Sequence, residues 1–143
     1  MRLHAILALA LALTACASSY REPPPKPFAG TRWEVMLERE SASTNPQAHP
    51  WFVFGDGLVE GFAGCNPVTG RYVQDSVGAR SIAFGRLALG AAQRTCDSRA
   101  QIVQAHILEV LQSASSYLIT GDIMKMTGSA GSISLRAAPG AVH

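Results

Sequence analysis

The stretch GFAGCNPVTGRY, from Gly61 to Tyr72, constrains the fold most strongly because it surrounds one cysteine with residues that favour turns. Glycine adopts backbone conformations that other residues avoid, and asparagine and proline favour turns. We therefore expect Asn66 to hydrogen-bond its own backbone in a turn, Gly70 to take a positive φ, and Tyr72 to pack on the returning strand. Cys65 is compatible with four roles: a nucleophile, a metal ligand, a redox centre or one half of a structural disulfide.

The N-terminal residues predict export and lipidation. In MRLHAILALALALTAC one cation, Arg2, precedes an apolar run of about nine residues, which is shorter than the roughly 20 that a membrane-spanning helix needs. This pattern is typical of a secretory signal peptide, here residues 1–15. Its last residues, Leu13 to Cys16, resemble the lipobox of bacterial lipoproteins, in which the cysteine is acylated and becomes the new N-terminus. The alternative is an ordinary signal peptide with a chance cysteine.

The segment that follows is predicted to be a tether. Two or more acyl chains give stable membrane attachment, so the membrane is an expected partner through Cys16. Residues 16–28 contain the proline-rich run REPPPKP, which favours an extended, semi-rigid spacer. Ala17, rather than an aspartate, follows the cysteine, and this favours the outer membrane, with the domain facing the periplasm.

The two remaining cysteines are expected to pair. With Cys16 assigned to lipid, Cys65 and Cys96 are left in an oxidising compartment, where an even pair forms a disulfide. They lie 31 positions apart, which is not the C-x-x-C spacing of a thiol oxidoreductase. His49 and His106 lie in no pattern typical of a catalytic base or a zinc site, so we predict no metal and no cofactor. Two buried free thiols are the alternative to the disulfide.

The charge of the chain limits its possible partners, and its length limits the number of domains. The chain has twelve Lys and Arg residues against ten Asp and Glu, and one of the cations, Arg2, leaves with the signal peptide. The arginines are scattered rather than clustered, so the sequence predicts no nucleic-acid partner. Residues 29–137 are long enough for one domain with its own core. Residues 138–143 are expected to fray.

Short β-rich segments and one helical segment predict an α+β domain. In Thr31–Leu37 apolar residues alternate with polar ones, which is typical of a half-buried strand. Ser98–Ala114 lacks glycine and proline and has apolar residues at helical spacing, with Asp97 or Ser98 as the expected N-cap. Glu38–Ala48 is predicted to be a loop. Further strands are expected at Pro50–Phe54, Leu58–Ala63, Gly70–Val77, Ser81–Leu89, Ser116–Gly121, Asp122–Gly128 and Ser132–Ala137. A single helix must bury its apolar stripe, so we expect a curved antiparallel sheet or open barrel with the helix packed across it.

The central stretch resembles the GxxGCNxxxGxY signature of the META domain family (HslJ-like proteins). GTRWEV resembles the family's first strand, and YLITGDIMKM resembles its closing strands, with Met124 and Met126 where the family has leucines. Gln93 stands where the family commonly has a threonine, which puts in doubt any role for that threonine. The resemblance implies a small envelope domain, often lipidated, with no established catalytic residues. The positions that carry the signature are Gly61, Gly64, Cys65, Asn66, Gly70 and Tyr72.

These patterns favour a non-catalytic envelope lipoprotein that supports outer-membrane integrity or stress tolerance through protein contacts. The second hypothesis is a binder of a lipid or another apolar ligand, held in a cleft between sheet and helix. An enzyme is the weakest hypothesis, because Asp56 and Glu60 flank a predicted hairpin with no further carboxylate placed opposite them. Trp51 and Phe52 are adjacent on one strand and must point to opposite faces, so one of them is a candidate contact for a ligand or partner.

Overall fold

The computed structural model describes residues 21–38, 48–75, 80–91 and 95–140. Cys16, the predicted signal peptide and most of the predicted loop Glu38–Ala48 lie outside these ranges. Within them, the chain forms nine strands and one helix, α1 (Ser98–Ser113). The strands are β1 (Arg32–Val35), β2 (Trp51–Gly55), β3 (Leu58–Phe62), β4 (Pro67–Gln74), β5 (Ile82–Phe84), β6 (Ala88–Leu89), β7 (Ala114–Thr120), β8 (Ile123–Gly128) and β9 (Gly131–Ala137).

The strands form one antiparallel sheet that nearly closes on itself. Their order is β5-β4-β3-β2-β1-β9-β8-β7, and β6 pairs with β4. Between the outer strands, Ser81 bridges to Ser116, and the backbone N–H of Tyr117 donates to the Arg80 carbonyl over 3.0 Å. The prediction of an α+β domain with an open barrel and one helix across it is confirmed.

Alternation of side chains fills the barrel with apolar residues. Trp33 and Val35 on β1, and Phe52 and Phe54 on β2, point inward and are buried, whereas the residues between them are half-buried on the outer face. This is the period of two that the sequence predicts for a sheet with one wet face. Other fully buried side chains are Val59, Val68, Ile107, Val110, Leu111, Met124, Met126 and Leu135.

Helix α1 lies across one end of the barrel. The Asp97 carboxylate accepts from the backbone N–H of Ala100 over 2.8 Å and caps the first turn, as predicted. Ile107, Val110 and Leu111 are its buried residues. The helix begins beside the turn that follows β3 and ends beside the turn between β8 and β9, where Ser113 Oγ accepts from the backbone N–H of Ala130 over 3.1 Å.

The opposite end of the barrel is closed by the segment that precedes β1. The N–H of Lys26 donates to the Gly121 carbonyl over 2.8 Å, and the indole Nε1 of Trp33 donates to the Phe28 carbonyl over 3.0 Å. The Phe28 ring is buried, with centroid distances of 4.7 Å to Phe54 and 4.9 Å to Tyr117. Residues 26–28 were predicted to be part of the tether, but these contacts place them in the folded domain. We call this end, with the Gly121 turn, the tether end.

Candidate functional site

Two glycines of the central stretch allow β3 to pass close to its neighbour and then turn. A Cβ on Gly61 would collide with the Trp51 carbonyl and the Phe52 side chain on β2, so any larger residue would push the strands apart. Gly64 has a φ of 105°, which residues with a Cβ rarely adopt, and it places the chain for the turn before β4. Both glycines are therefore needed for the course of the backbone.

Gly70 and Asn66 act differently from the prediction. Gly70 does not take a positive φ in a turn but lies inside β4, opposite Val59. A Cβ at this position would lie only 2.6 Å from Cδ2 of Leu87, so the glycine leaves room for that side chain.

The side chain of Asn66 does not hydrogen-bond its own backbone but donates to the Gly90 carbonyl over 3.1 Å. Its backbone N–H donates to the Gln104 side chain on α1 over 2.8 Å. Asn66 therefore joins the turn to the helix and to the loop after β6.

Cys65 and Cys96 form a disulfide, with their Cα atoms 5.7 Å apart. Cys65 is buried in the turn after β3, and Cys96 directly precedes the helix N-cap. The bond therefore connects the barrel to the first turn of α1. Both sulfurs are used in this structural role, and the prediction that Cys65 is half of a disulfide is confirmed.

Tyr72 lies in an aromatic cluster at the tether end. Its ring centroid is 5.6 Å from those of Phe28 and Phe54, and the side chain is buried. Burial raises the pKa of Tyr72 above its ordinary value of 10.0; the hydrogen bond with the Gly57 backbone opposes this rise, and the charges of Asp56 and Tyr117 add to it. The hydroxyl therefore stays protonated in the folded protein at pH values where it ionises in the unfolded chain.

This pKa shift predicts a loss of stability in alkali. Between pH 10 and the raised folded-state pKa, the folded protein binds more protons at Tyr72 than the unfolded chain does, so the free energy of unfolding falls as pH rises. Tyr72→Phe removes the titrating group, and its urea midpoint is expected to fall less between pH 9 and pH 11 than that of the wild type. If the urea midpoints of the two proteins fell equally between pH 9 and pH 11, the loss of stability would not come from Tyr72.

A cleft of about 430 Å³ lies between α1 and the sheet. We call it the helix cleft. Its lining is mainly apolar, and two apolar side chains at its rim are exposed, Met36 by 45% and Ile102 by 70%. His106 and Glu38 provide its ionisable groups. The lining residues are Val35, Met36, Leu37, Glu38, Ile102, Val103, His106, Ile107, Ser132, Ile133 and Ser134.

A second cleft, of about 490 Å³, lies on the outer face of β2, β3 and β4. Asp56 and Glu60 both line it, together with Arg71, so the structure does bring the two carboxylates to one surface. His49 is not among the lining residues. Leu58, which also lines the cleft, is exposed by 49%, as expected for the wet face of a sheet.

Trp51 and Phe52 point to opposite faces of β2, as predicted. Phe52 is fully buried in the core, whereas Trp51 is half-buried on the outer face. The guanidinium carbon of Arg32 lies 4.0 Å from the centroid of the Trp51 ring, a cation–π contact, and Arg32 also pairs with Glu34 over 3.7 Å. Neither aromatic residue lines the two clefts described above.

The described residues contain neither a metal-binding cluster nor a membrane-spanning helix. Residues 21–38, 48–75, 80–91 and 95–140 contain no group of three or more His, Cys, Asp or Glu side chains able to hold a metal ion. In the same ranges, no helix has the length and apolar character required to cross a bilayer.

Comparison with known proteins identifies the fold. The family model described as META domain matches residues 26–139. The match begins at Lys26, whose backbone N–H donates to the Gly121 carbonyl of the barrel. An NMR structure of a protein from Burkholderia xenovorans has a TM-score of 0.58 at 15% identity, covering 97% of this chain and 99% of the other. The crystal structure of a DUF4847 family protein from Bacteroides vulgatus has a TM-score of 0.52 at 14% identity, covering 76% and 93%. At such identities the likeness shows the fold alone. No curated protein matches the chain.

Proposed function

This chain belongs to the META domain family, and from that premise we propose that it is a non-catalytic lipoprotein of the bacterial envelope. In this proposal, acyl chains on Cys16 hold it at the outer membrane, with the domain in the periplasm, and it supports outer-membrane integrity or stress tolerance by contacting another envelope protein. The roles of the three cysteines are the main support for this proposal. Two form a disulfide, which persists in oxidising compartments, and the third ends a lipobox-like sequence.

The surface of the domain supports a role in binding. Large apolar side chains such as Trp33, Phe52 and Phe54 are fully buried in the core. Met36 and Ile102 are nevertheless exposed together at the rim of the helix cleft. Exposed apolar patches on soluble domains commonly mark sites of interaction with proteins.

Lipidation is tested by the substitution Cys16→Ser. In a bacterial host given a clickable palmitate analogue, the wild-type chain is expected to become labelled and to sediment with outer membranes. Cys16→Ser is expected to lose the label completely, because the acyl chains are attached to that sulfur and to the amine it exposes. Ser18→Ala is the matched control, since it changes a residue close to Cys16 and leaves both the lipobox and the Cys65–Cys96 disulfide intact. Equal labelling of wild type and Cys16→Ser would refute the lipoprotein assignment.

The helix cleft favours a second candidate function, the binding of a lipid or another apolar ligand. Its volume of about 430 Å³ lies within the range of about 300–1,000 Å³ that is typical of small-molecule sites. An apolar lining with a few polar groups at the rim is also typical of such sites.

This candidate is tested with a fluorescent fatty acid. Val103→Phe adds a ring to the wall of the helix cleft, and we expect it to abolish the fluorescence increase that wild type produces. Val73→Phe is the matched control, since Val73 is 76% exposed on β4 and does not line the helix cleft. If Val103→Phe bound the probe as well as the wild type did, ligand binding in this cleft would be excluded.

A further inference from the structure

The two halves of α1 are attached to the barrel in different ways. In the second half, residues 107–113, the side chains of Ile107, Val110 and Leu111 are buried in the core. In the first half, residues 98–104, all of which the structure describes, no side chain is fully buried. Val103 packs against the core from this half but stays half-buried. The core contacts of α1 therefore come mainly from its second half.

The Cys65–Cys96 disulfide is the covalent attachment of the first half. Cys96 directly precedes the N-cap Asp97, so its bond to Cys65 fixes the start of the helix beside the turn after β3. The backbone N–H of Asn66 in this turn also donates to the side chain of Gln104 over 2.8 Å. A single hydrogen bond adds little net stability, because water competes for both of its groups. Without the disulfide, the first half of α1 is therefore weakly held.

The first half of α1 also forms part of the wall of the helix cleft. Ile102 and Val103 line the cleft from this half, and Ile107 lines it from the buried second half. Most of the stability of a helix in a protein comes from packing of its apolar face, so turns that are poorly packed are marginal in water. Such segments open locally while the rest of the domain stays folded. Loss of the disulfide is therefore expected to unwind residues 98–104 and remove this wall.

We infer that the Cys65–Cys96 disulfide is a redox switch for the helix cleft: the bond holds the first half of α1 in place, and its reduction by a dithiol releases that half. One thiolate of the dithiol attacks Sγ of Cys96, which is partly exposed, and expels Cys65 as a thiolate that takes up a proton. The second thiol then displaces Cys96, so the protein gains two thiols and the reductant becomes a disulfide. The inference rests on the proposed function only for what occupies the cleft.

Cα chemical shifts measured by nuclear magnetic resonance test the switch. Isotopically labelled protein is purified in its processed form from bacteria that make the full chain, and spectra are recorded before and after addition of dithiothreitol. Alkylation of the new thiols shows that reduction is complete. The helical shifts of residues 98–104 are expected to fall to no more than about half of their oxidised values, whereas those of residues 107–113 persist. Unchanged shifts in the first half would overturn the inference, and so would an equal loss in both halves, because the domain would then unfold as a whole.

Two variants act as controls. The double variant Cys65→Ser, Cys96→Ser is expected to give the spectrum of the reduced protein and not to respond to dithiothreitol. If it kept the helical shifts of residues 98–104, the inference would be wrong. Gln104→Ala removes the hydrogen bond from Asn66 and leaves the disulfide intact. In its oxidised form the first half is expected to stay helical; loss of these shifts would show that the hydrogen bond, and not the disulfide, holds this half.

Binding of a fluorescent fatty acid separates the inference from the proposed function. If the wall is formed in no more than about half of the reduced molecules, reduction is expected to weaken binding at least about twofold. Equal affinities of the oxidised and reduced proteins would overturn the inference. If the oxidised protein bound no probe, the apolar-ligand function would be excluded, and the chemical shifts would still decide whether the disulfide controls α1.

Discussion

Replacing both Cys65 and Cys96 by serine is expected to lower the free energy of unfolding by about 3–4 kcal/mol, the value that the chain-entropy model gives for a closed loop of about 32 residues. A domain of this size has a stability of about 5–15 kcal/mol, so the disulfide accounts for a large share of the total. The reason lies mainly in the unfolded chain, which gains freedom when the loop is opened. Urea denaturation of a form that begins after residue 16 measures the change.

The same experiment with reductant provides the control. In wild type, reduction of the disulfide should lower the urea midpoint to about that of the double serine variant, and the double variant should not respond to reductant. A double variant within about 1 kcal/mol of oxidised wild type would contradict the prediction, because loss of a native disulfide from a small domain typically costs 2–5 kcal/mol.

Phe28→Ala is expected to lower the free energy of unfolding by about 3–5 kcal/mol, the typical cost of removing a buried aromatic ring from a core. The ring is 8% exposed and contacts Phe54, Tyr72 and Tyr117, so its loss leaves a cavity at the tether end of the barrel. Thermal and urea unfolding of the purified domain measure the loss. The near-ultraviolet circular dichroism of the aromatic cluster is also expected to weaken.

Pro25→Ala is the matched control, because Pro25 lies in the same segment and is exposed. It is expected to change the stability by less than about 0.5 kcal/mol, as substitutions at featureless surface positions do. If the two variants had the same stability, Phe28 would be part of the tether rather than part of the core.

Local patterns in the sequence predicted most of the elements. The alternation around Trp33 and Val35 predicted an inward and an outward face, and the helical spacing around Ile107 and Leu111 predicted the buried stripe of α1. These predictions succeed because the period of a strand or a helix follows from backbone geometry, which each short segment carries by itself. The disulfide was predicted by counting cysteines, since two thiols in the oxidising compartment that the N-terminal pattern predicts are expected to pair.

Predictions for residues whose contacts are distant in the sequence were less successful. Gly70 looked like a turn residue, but it lies in a strand because Leu87 occupies the space that a side chain would need. Asn66 bonds to Gly90 and Gln104 rather than to its own backbone. Phe28 follows a proline-rich run and looked like part of the tether, although the cluster that it completes is assembled from β2, β4 and β7.

The sequence by itself determined the class of this protein: one α+β domain of short strands and a single helix, with a cysteine pair that forms a disulfide. Only the tertiary structure decided how the two ends of the barrel are closed, by α1 at one and by Phe28 at the other, and hence that the helix cleft and the Phe28 cluster form from segments distant in sequence. The physical reason is the separation along the chain over which each effect acts. Periodicity and turn preference act over a few residues, whereas a closed barrel end or a cleft exists only when distant segments meet.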